Sequence, residues 1–280
     1  MIDAHVHIGR EHGRESPRER IRGILEDYVT HGVHAVRDGG DVLRLGLVAR
    51  DLAPEFGLIY KTPVYALVKA GGYGGFLGQQ CSGLEDIRAE LKGLMGLRPD
   101  FVKVIQSGIV SFDEDGVISP GGFNHEELNY IVQYAHDAGL PVMVHCNGMA
   151  AVAEAVALGV DSVEHGYFIS RTELEAMHEQ GTLWTPTFAP LANYLRSGTA
   201  APGSREVVDR TLKAHAANLL AAIAIGVRVA VGSDAGAAFV AHGQGVHDEV
   251  ACFVRAGVSP QDALRLANES GARAISPMAS

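Results

Sequence analysis

Pro141-Val142-Met143-Val144-His145 and, one helix length further on, Asp161-Ser162-Val163-Glu164-His165 are the stretches that decide the fold. Each is a short apolar run of strand length closed by a histidine. Strand, helical pattern, strand is the signature of a parallel βα unit. Working outward, the alternation recurs, with strand candidates near residues 2–8, 32–38, 57–62, 101–106, 140–146, 161–165, 182–187 and 227–233. These make eight, the number that a closed (β/α)8 TIM barrel needs, and 280 residues suit one such α/β barrel with little left over for a second domain. Residues 1–280 are therefore read as a single barrel domain.

Helix signals agree with this division. Asn124 followed by Glu127 forms a capping-box pattern, and Gly139 supplies the stop. Ser259-Pro260 with Asp262 opens the last helix. Glycine-rich stretches, Gly71-Gly72-Tyr73-Gly74-Gly75 and Ser119-Pro120-Gly121-Gly122, follow strand ends and are expected to overhang the barrel mouth as walls or lids.

Composition narrows the function classes. Hydrophobic residues at 47% and charged residues at 20% describe an ordinary globular chain. A net charge of −10 gives no reason to expect nucleic acid or anionic lipid as a partner, so a small-molecule substrate is expected. No apolar run reaches the length of a membrane span, and the start Met1-Ile2-Asp3-Ala4-His5 lacks a signal-peptide pattern. Three cysteines, Cys81, Cys146 and Cys252, without CxxC spacing suit a reducing compartment. A cytoplasmic protein is expected; oligomeric state is not legible.

Chemistry gathers at the strand ends. In Asp3-Ala4-His5-Val6-His7 strand alternation sends His5 and His7 to one face. His145 and His165 close two later strands, and Asp234 closes Val229-Ala230-Val231-Gly232-Ser233-Asp234. Four imidazoles and a carboxylate converging at one end of a barrel make a nitrogen and oxygen set suited to zinc and similar divalent ions. Phe101-Val102-Lys103-Val104-Ile105 adds one lysine inside an apolar strand. Burial lowers the pKa of such an amine, which when neutral can take up CO₂ as a carbamate able to bridge two cations. The plainer alternative pairs Lys103 with Asp3 or Asp234.

The ordered set His5-Val6-His7, Lys103, His145, His165 and Asp234 resembles the amidohydrolase superfamily. Val36-Arg37-Asp38-Gly39-Gly40, Val102 through Gly108, Val163-Glu164-His165-Gly166, Gly232 through Gly236 and Gly257 through Leu264 are similar to its imidazolonepropionase-related and Xaa-Pro dipeptidase-like branch. The resemblance implies a metal-dependent hydrolase with two divalent ions, zinc being the default. His5, His7 and Asp234 would hold the more buried ion, His145 and His165 the more exposed one, and Lys103 as N-carboxylysine would bridge them. It further implies a metal-bridged hydroxide attacking a carbonyl, with Asp234 as the catalytic proton carrier. The bond is expected to be an amide-type C–N bond, as in an N-acyl amino acid, dipeptide or cyclic amide. Two departures stand out: no flanking segments for the branch's accessory β-sandwich, and Asn147 where relatives often have a second histidine.

Strand position nominates Gln106, Ser107, Asn147, Tyr167, Thr187 and His242 as substrate contacts, with Tyr167 a possible oxyanion donor. His247 shares the loop of His242. His12, His31, His34, His125, His136, His178 and His215 read as surface or structural. Competing functions are a mononuclear nucleobase-type deaminase of the same fold, a lactone or phosphoester hydrolase, and a non-catalytic metal-binding barrel.

Overall fold

The apolar runs form parallel strands in the computed structural model, which describes residues 1–10 and 16–275. They are β1 (Ile2–Val6), β2 (Ala35–Asp38), β3 (Ile59–Lys61), β4 (Ala66–Lys69), β5 (Gly78–Cys81), β6 (Val102–Ile105), β7 (Val142–Cys146), β8 (Ser162–His165), β9 (Leu183–Thr185) and β10 (Arg228–Val229). Their order is β1-β2-β3 in one run and β10-β9-β8-β7-β6-β4-β5 in the other.

The two runs join into a (β/α)8 barrel. β3 and β4 are two halves of one bent stave: the first pairs with β2, the second with β6. The bend falls at Pro63 and Val64, whose backbone is left-handed at φ 71°. At the other seam the N–H of Ala4 donates to the Val231 carbonyl at 3.0 Å, and that of His7 donates to the Ala235 carbonyl at 2.7 Å. β5 lies outside the ring, on the edge of β4. The sequence reading put one strand at 57–62 and missed β4 and β5, because Pro63 breaks the apolar run and glycines flank the two segments beyond it.

Helices cover the outer face with the expected caps. The Asn124 side chain accepts the Glu127 N–H while Glu127 accepts the Asn124 N–H, both at 3.0 Å. Ser259 caps the helix Pro260–Arg265. Outward-facing Val102, Val104, Val144, Val163 and Val231 share one buried cluster with Leu25, Leu91, Ile131, Leu174 and Phe253.

The inner face is different. Asp3, His5, Arg37, Lys103, His145, Ser162, Glu164 and Thr185 are all buried there. Barrel interiors are normally filled by branched apolar side chains, so this lining serves something other than packing. All three cysteines are buried and free. Among the described residues, no helix is long and apolar enough to cross a membrane.

Candidate metal centre

His5 of β1 and His7, the residue after its end, both turn to the inside, where their Nε2 atoms lie 3.1 Å apart. Asp234 follows β10 and brings Oδ1 to 3.2 Å from His7 Nε2 and 3.7 Å from His5 Nε2. Ligand atoms of these three residues all lie within 4.8 Å of one another, a set able to hold one cation. His165 stands next to them, its ring 4.9 Å from that of His5, and the His145 ring is 4.4 Å from His165. All four histidines are buried.

Lys103 is fully buried and its Nζ makes no hydrogen bond. Of the two alternative partners, Asp3 is engaged elsewhere, accepting the Ser233 N–H at 2.8 Å and the Ser233 hydroxyl. Burial lowers the Lys103 ammonium to about 8, with Glu164 pulling it back up. Burial also lowers His5 to about 4 and His145 to about 3, with Lys103 adding to both, and drives His165 down too. At neutral pH these imidazoles carry free lone pairs. A donor set of neutral imidazoles, a carboxylate and an orphaned buried amine fits divalent ions.

Two residues the sequence reading passed over organise this set. Glu164 Oε2 accepts from His5 Nδ1 at 2.7 Å, which leaves Nε2 as the ligand atom. Its other oxygen accepts from Arg37 at 2.7 Å and from the Ser162 hydroxyl at 2.7 Å. Arg37 also donates to the Ala4 carbonyl and to Ser162. The Arg37 guanidinium and His5 together hold the Glu164 carboxyl far below its ordinary range despite its burial. Glu164 and His165 are neighbours, so plain alternation would face them oppositely. His165 is instead left-handed at φ 68°, and both point inward.

Thr187 and Asp234 share that geometry at φ 53° and 56°. For a β-branched threonine this is strained, and such strain concentrates at functional sites. The Thr187 turn is held by Glu249, whose two oxygens accept the N–H groups of Phe188 at 2.8 Å and Ala189 at 2.6 Å. Thr187 Oγ1 meets His165 Nδ1 at 2.6 Å, and Trp184 Nε1 donates to the His165 carbonyl at 3.0 Å.

The expected substrate contacts divide. Asn147, Tyr167 and Thr187 line the cavity above the centre; Gln106, Ser107 and His242 do not. The Gln106 amide clamps the main chain of Phe123, and Ser107 Oγ accepts the Asn147 N–H at 2.8 Å. His242 Nδ1 bonds the Tyr28 hydroxyl at 2.7 Å, and His247 Nε2 donates to the His31 carbonyl. The Tyr167 hydroxyl donates to the Thr187 carbonyl at 2.8 Å, so its proton is not aimed at an oxyanion. Of the histidines read as surface or structural, His215 is buried and stacked on Tyr167 at 4.1 Å, which is structural; His12 lies outside the described residues.

The Amidohydrolase family model matches residues 1–277. The chain belongs to the amidohydrolase family. Ochratoxinase of Aspergillus niger is 26% identical over 250 residues, covering 86% of this chain and 48% of that protein. An uncharacterized protein of Mycobacterium tuberculosis is 30% identical over 152 residues, covering 51% of this chain and 39% of its own. This amidohydrolase chain thus spans about half the length of these relatives or less. The crystal structure of the A. niger ochratoxinase superimposes with a TM-score of 0.81 at 20% identity, covering 99% of this chain and 71% of the other. A Xaa-Pro dipeptidase with bound methionine gives 0.76 at 23% identity, covering 98% and 74%. At those identities the two structures speak for the fold.

Proposed function

We propose that this amidohydrolase-family protein is a metal-dependent hydrolase of an amide-type C–N bond in a small molecule. The observation that carries the reading is the convergence of His5, His7 and Asp234 beside His145, His165 and the buried Lys103, with His7, His145, His165 and Asp234 lining a cavity. The relatives support the bond type, since ochratoxinase, Xaa-Pro dipeptidase and a bottromycin amidohydrolase are all among the similar proteins.

In this reading His5, His7 and Asp234 hold one ion and His145 and His165 a second, with zinc the default. Lys103, once carboxylated on Nζ, would add its carbamate oxygens to that donor set. When bound, the ions lower the pKa of a water and polarise the substrate carbonyl. Asp234, which faces the cavity, would be the proton carrier, placed to accept a proton from an attacking water and to return it to the departing nitrogen. Glu164 fixes the His5 ring and Thr187 the His165 ring throughout. Three free cysteines support a reducing, cytoplasmic setting, and the acidic net charge supports a small substrate over nucleic acid.

One observation favours a second reading. Only His5, His7 and Asp234 bring ligand atoms within mutual reach among the described residues, which suits a mononuclear centre of deaminase type. Elemental analysis of chelator-free protein and of Lys103→Ala separates the two. About two equivalents falling to one or none in the variant supports the bridged pair. One equivalent in both removes the bridging role of Lys103. Hydrolysis of amides by the metal-replete protein, lost on chelation and restored by zinc or manganese, tests the activity itself.

A further inference from the structure

The cavity above the candidate centre has two unlike surfaces. Its floor is His7, His145, His165 and Asp234. Three of its polar wall residues, Asn147, Tyr167 and Thr187, are already engaged with the protein. Asn147 Oδ1 accepts the Tyr167 N–H at 3.0 Å, while its Nδ2 donates to the Gly108 carbonyl at 3.2 Å. Thr187 Oγ1 is taken by His165, and the Tyr167 hydroxyl by the Thr187 carbonyl. Apart from Tyr73, whose ring stands 5.4 Å from that of His145, the rest of the wall is apolar and includes Leu77, Ile109, Val110, Phe112, Leu191 and Phe239.

This apolar wall is a built unit. Val110 and Leu191 are buried in a small cluster with Tyr167 and Val208, separate from the main core, and Phe112 packs against it. Phe112 meets Tyr194 at 5.0 Å between ring centroids, and Tyr194 meets Phe239 at 5.8 Å. Asn193 Nδ2 donates to the Phe239 carbonyl at 2.8 Å, pinning that loop. Yet Ile109 and Phe239 are 42% and 49% exposed, which leaves large apolar side chains in water at the mouth of a polar centre. The wall segments come from loops that follow three different strands: Ile109 to Phe112 after β6, Leu191 after β9 and Phe239 after β10.

We propose that Ile109, Val110, Phe112, Leu191 and Phe239 form the specificity subsite of this centre, and that it takes an uncharged apolar arm of the substrate, an aromatic ring or branched alkyl group next to the scissile amide. The inference rests on the amide-hydrolase reading. The cavity of about 150 Å³ has the size at which a Leu, Ile and Phe lining takes up a benzene ring. A carboxylate on that arm would be stripped of water against apolar side chains, which disfavours it.

The test uses the metal-replete 280-residue protein and three matched acetanilides: unsubstituted, carboxamide-bearing and carboxylate-bearing. The expected order of kcat/KM is unsubstituted, carboxamide, carboxylate, with at least tenfold between first and last. Phe112→Ala and Leu191→Ala should raise KM for the unsubstituted anilide about tenfold, with kcat changed less than twofold. Phe239→Lys, at a half-exposed position that tolerates charge, should narrow the preference toward the carboxylate. Equal rates on all three anilides, or KM unmoved in the alanine variants, overturns the subsite. Binding of 2-naphthamide to chelator-treated protein, followed by fluorescence, keeps the two readings apart. Binding that weakens in Phe112→Ala, with no anilide cleaved, retains the subsite and sinks the amide-hydrolase reading. No binding, or binding indifferent to Phe112, sinks the subsite whatever is cleaved.

Discussion

Replacing Arg37 by methionine should cost the metal-free fold about 4 kcal/mol, the usual range for removing one partner of a buried ion pair being about 3–5 kcal/mol. The structure sets the size of that loss. Arg37 and Glu164 are both buried, 2.7 Å apart, and Arg37 gives up further bonds to the Ala4 carbonyl at 2.8 Å and to Ser162 at 3.0 Å. Without the guanidinium, Glu164 keeps His5 and Ser162 but loses its counter-charge while fully buried. Glu164→Gln makes the opposite half-pair, leaving Arg37 charged and alone. The double variant removes both charges, so it should lie well short of the sum of the singles, with a coupling of about 2–3 kcal/mol. Urea unfolding of chelator-treated wild type, both singles and the double closes the cycle, and equal m-values validate the comparison. Singles below about 1 kcal/mol, or additivity within about 0.5 kcal/mol, would refute a charge pair supporting the centre from below. Because Glu164 also orients His5, Glu164→Gln should weaken cation binding by about 10–100-fold, read by dialysis against a buffered metal series.

The same geometry yields three further outcomes. Thr187→Val removes the hydroxyl 2.6 Å from His165 Nδ1 at nearly constant volume, and should weaken retention of a cation about tenfold; unchanged affinity would mean that His165 is oriented by packing alone. Gly232→Ala places a Cβ 2.5 Å from Thr185 Cγ2 and 2.8 Å from His5 Cβ, so a loss of about 1–3 kcal/mol is expected in thermal or urea unfolding, with His5 displaced; wild-type stability would show that the seam can open. Burial raises the Glu249 carboxyl to about 8 from an ordinary 4.5, despite two N–H donors that favour its charged form. A raised carboxyl supports the fold fully below its unfolded pKa and loses that support as pH rises through the folded value. Relative to Glu249→Gln, wild type should therefore weaken between pH 5 and about 8, by up to about 5 kcal/mol at 1.36 kcal/mol per unit. Parallel pH curves for the two proteins would contradict the shift.

What was legible in the sequence comes from period and burial. Apolar runs ending in His5-Val6-His7, His145, His165 and Asp234 place chemistry at strand ends because alternation and the direction of parallel strands allow little else. Lys103 announced itself as a charge amid Val102, Val104 and Ile105. Glu164 was harder, since alternation assigns it a face opposite to His165, and only the left-handed backbone at His165 admits both; no glycine stands there to signal the turn. Gln106 and Ser107 look like site residues by position, yet beyond a strand end the side-chain direction is set by the loop. There Gln106 turns to Phe123 and Ser107 to Asn147. The apolar subsite was invisible for the same reason: Ile109, Leu191 and Phe239 come together from three separate loops with no shared period.

The cluster's electrostatics and its strain work in one direction. Burial and mutual repulsion hold His5, His145 and His165 neutral at pH 7, so a cation meets lone pairs without first displacing protons. The same shifts cost stability on the acid side: each lowered imidazole supports the fold above its ordinary 6.5 and loses that support as pH falls toward its depressed value. Left-handed backbone at His165, Thr187 and Asp234 adds strain at the same ring of strand ends. An arrangement of neutral donors, strained turns and an unpartnered amine is unfavourable for the empty barrel and favourable for the loaded one. On the proposed reading, a bound cation would contribute to folding stability by mass action, rising with the ratio of free ion to dissociation constant. The polar inner face thus exchanges stability of the empty barrel for a ready-made donor set.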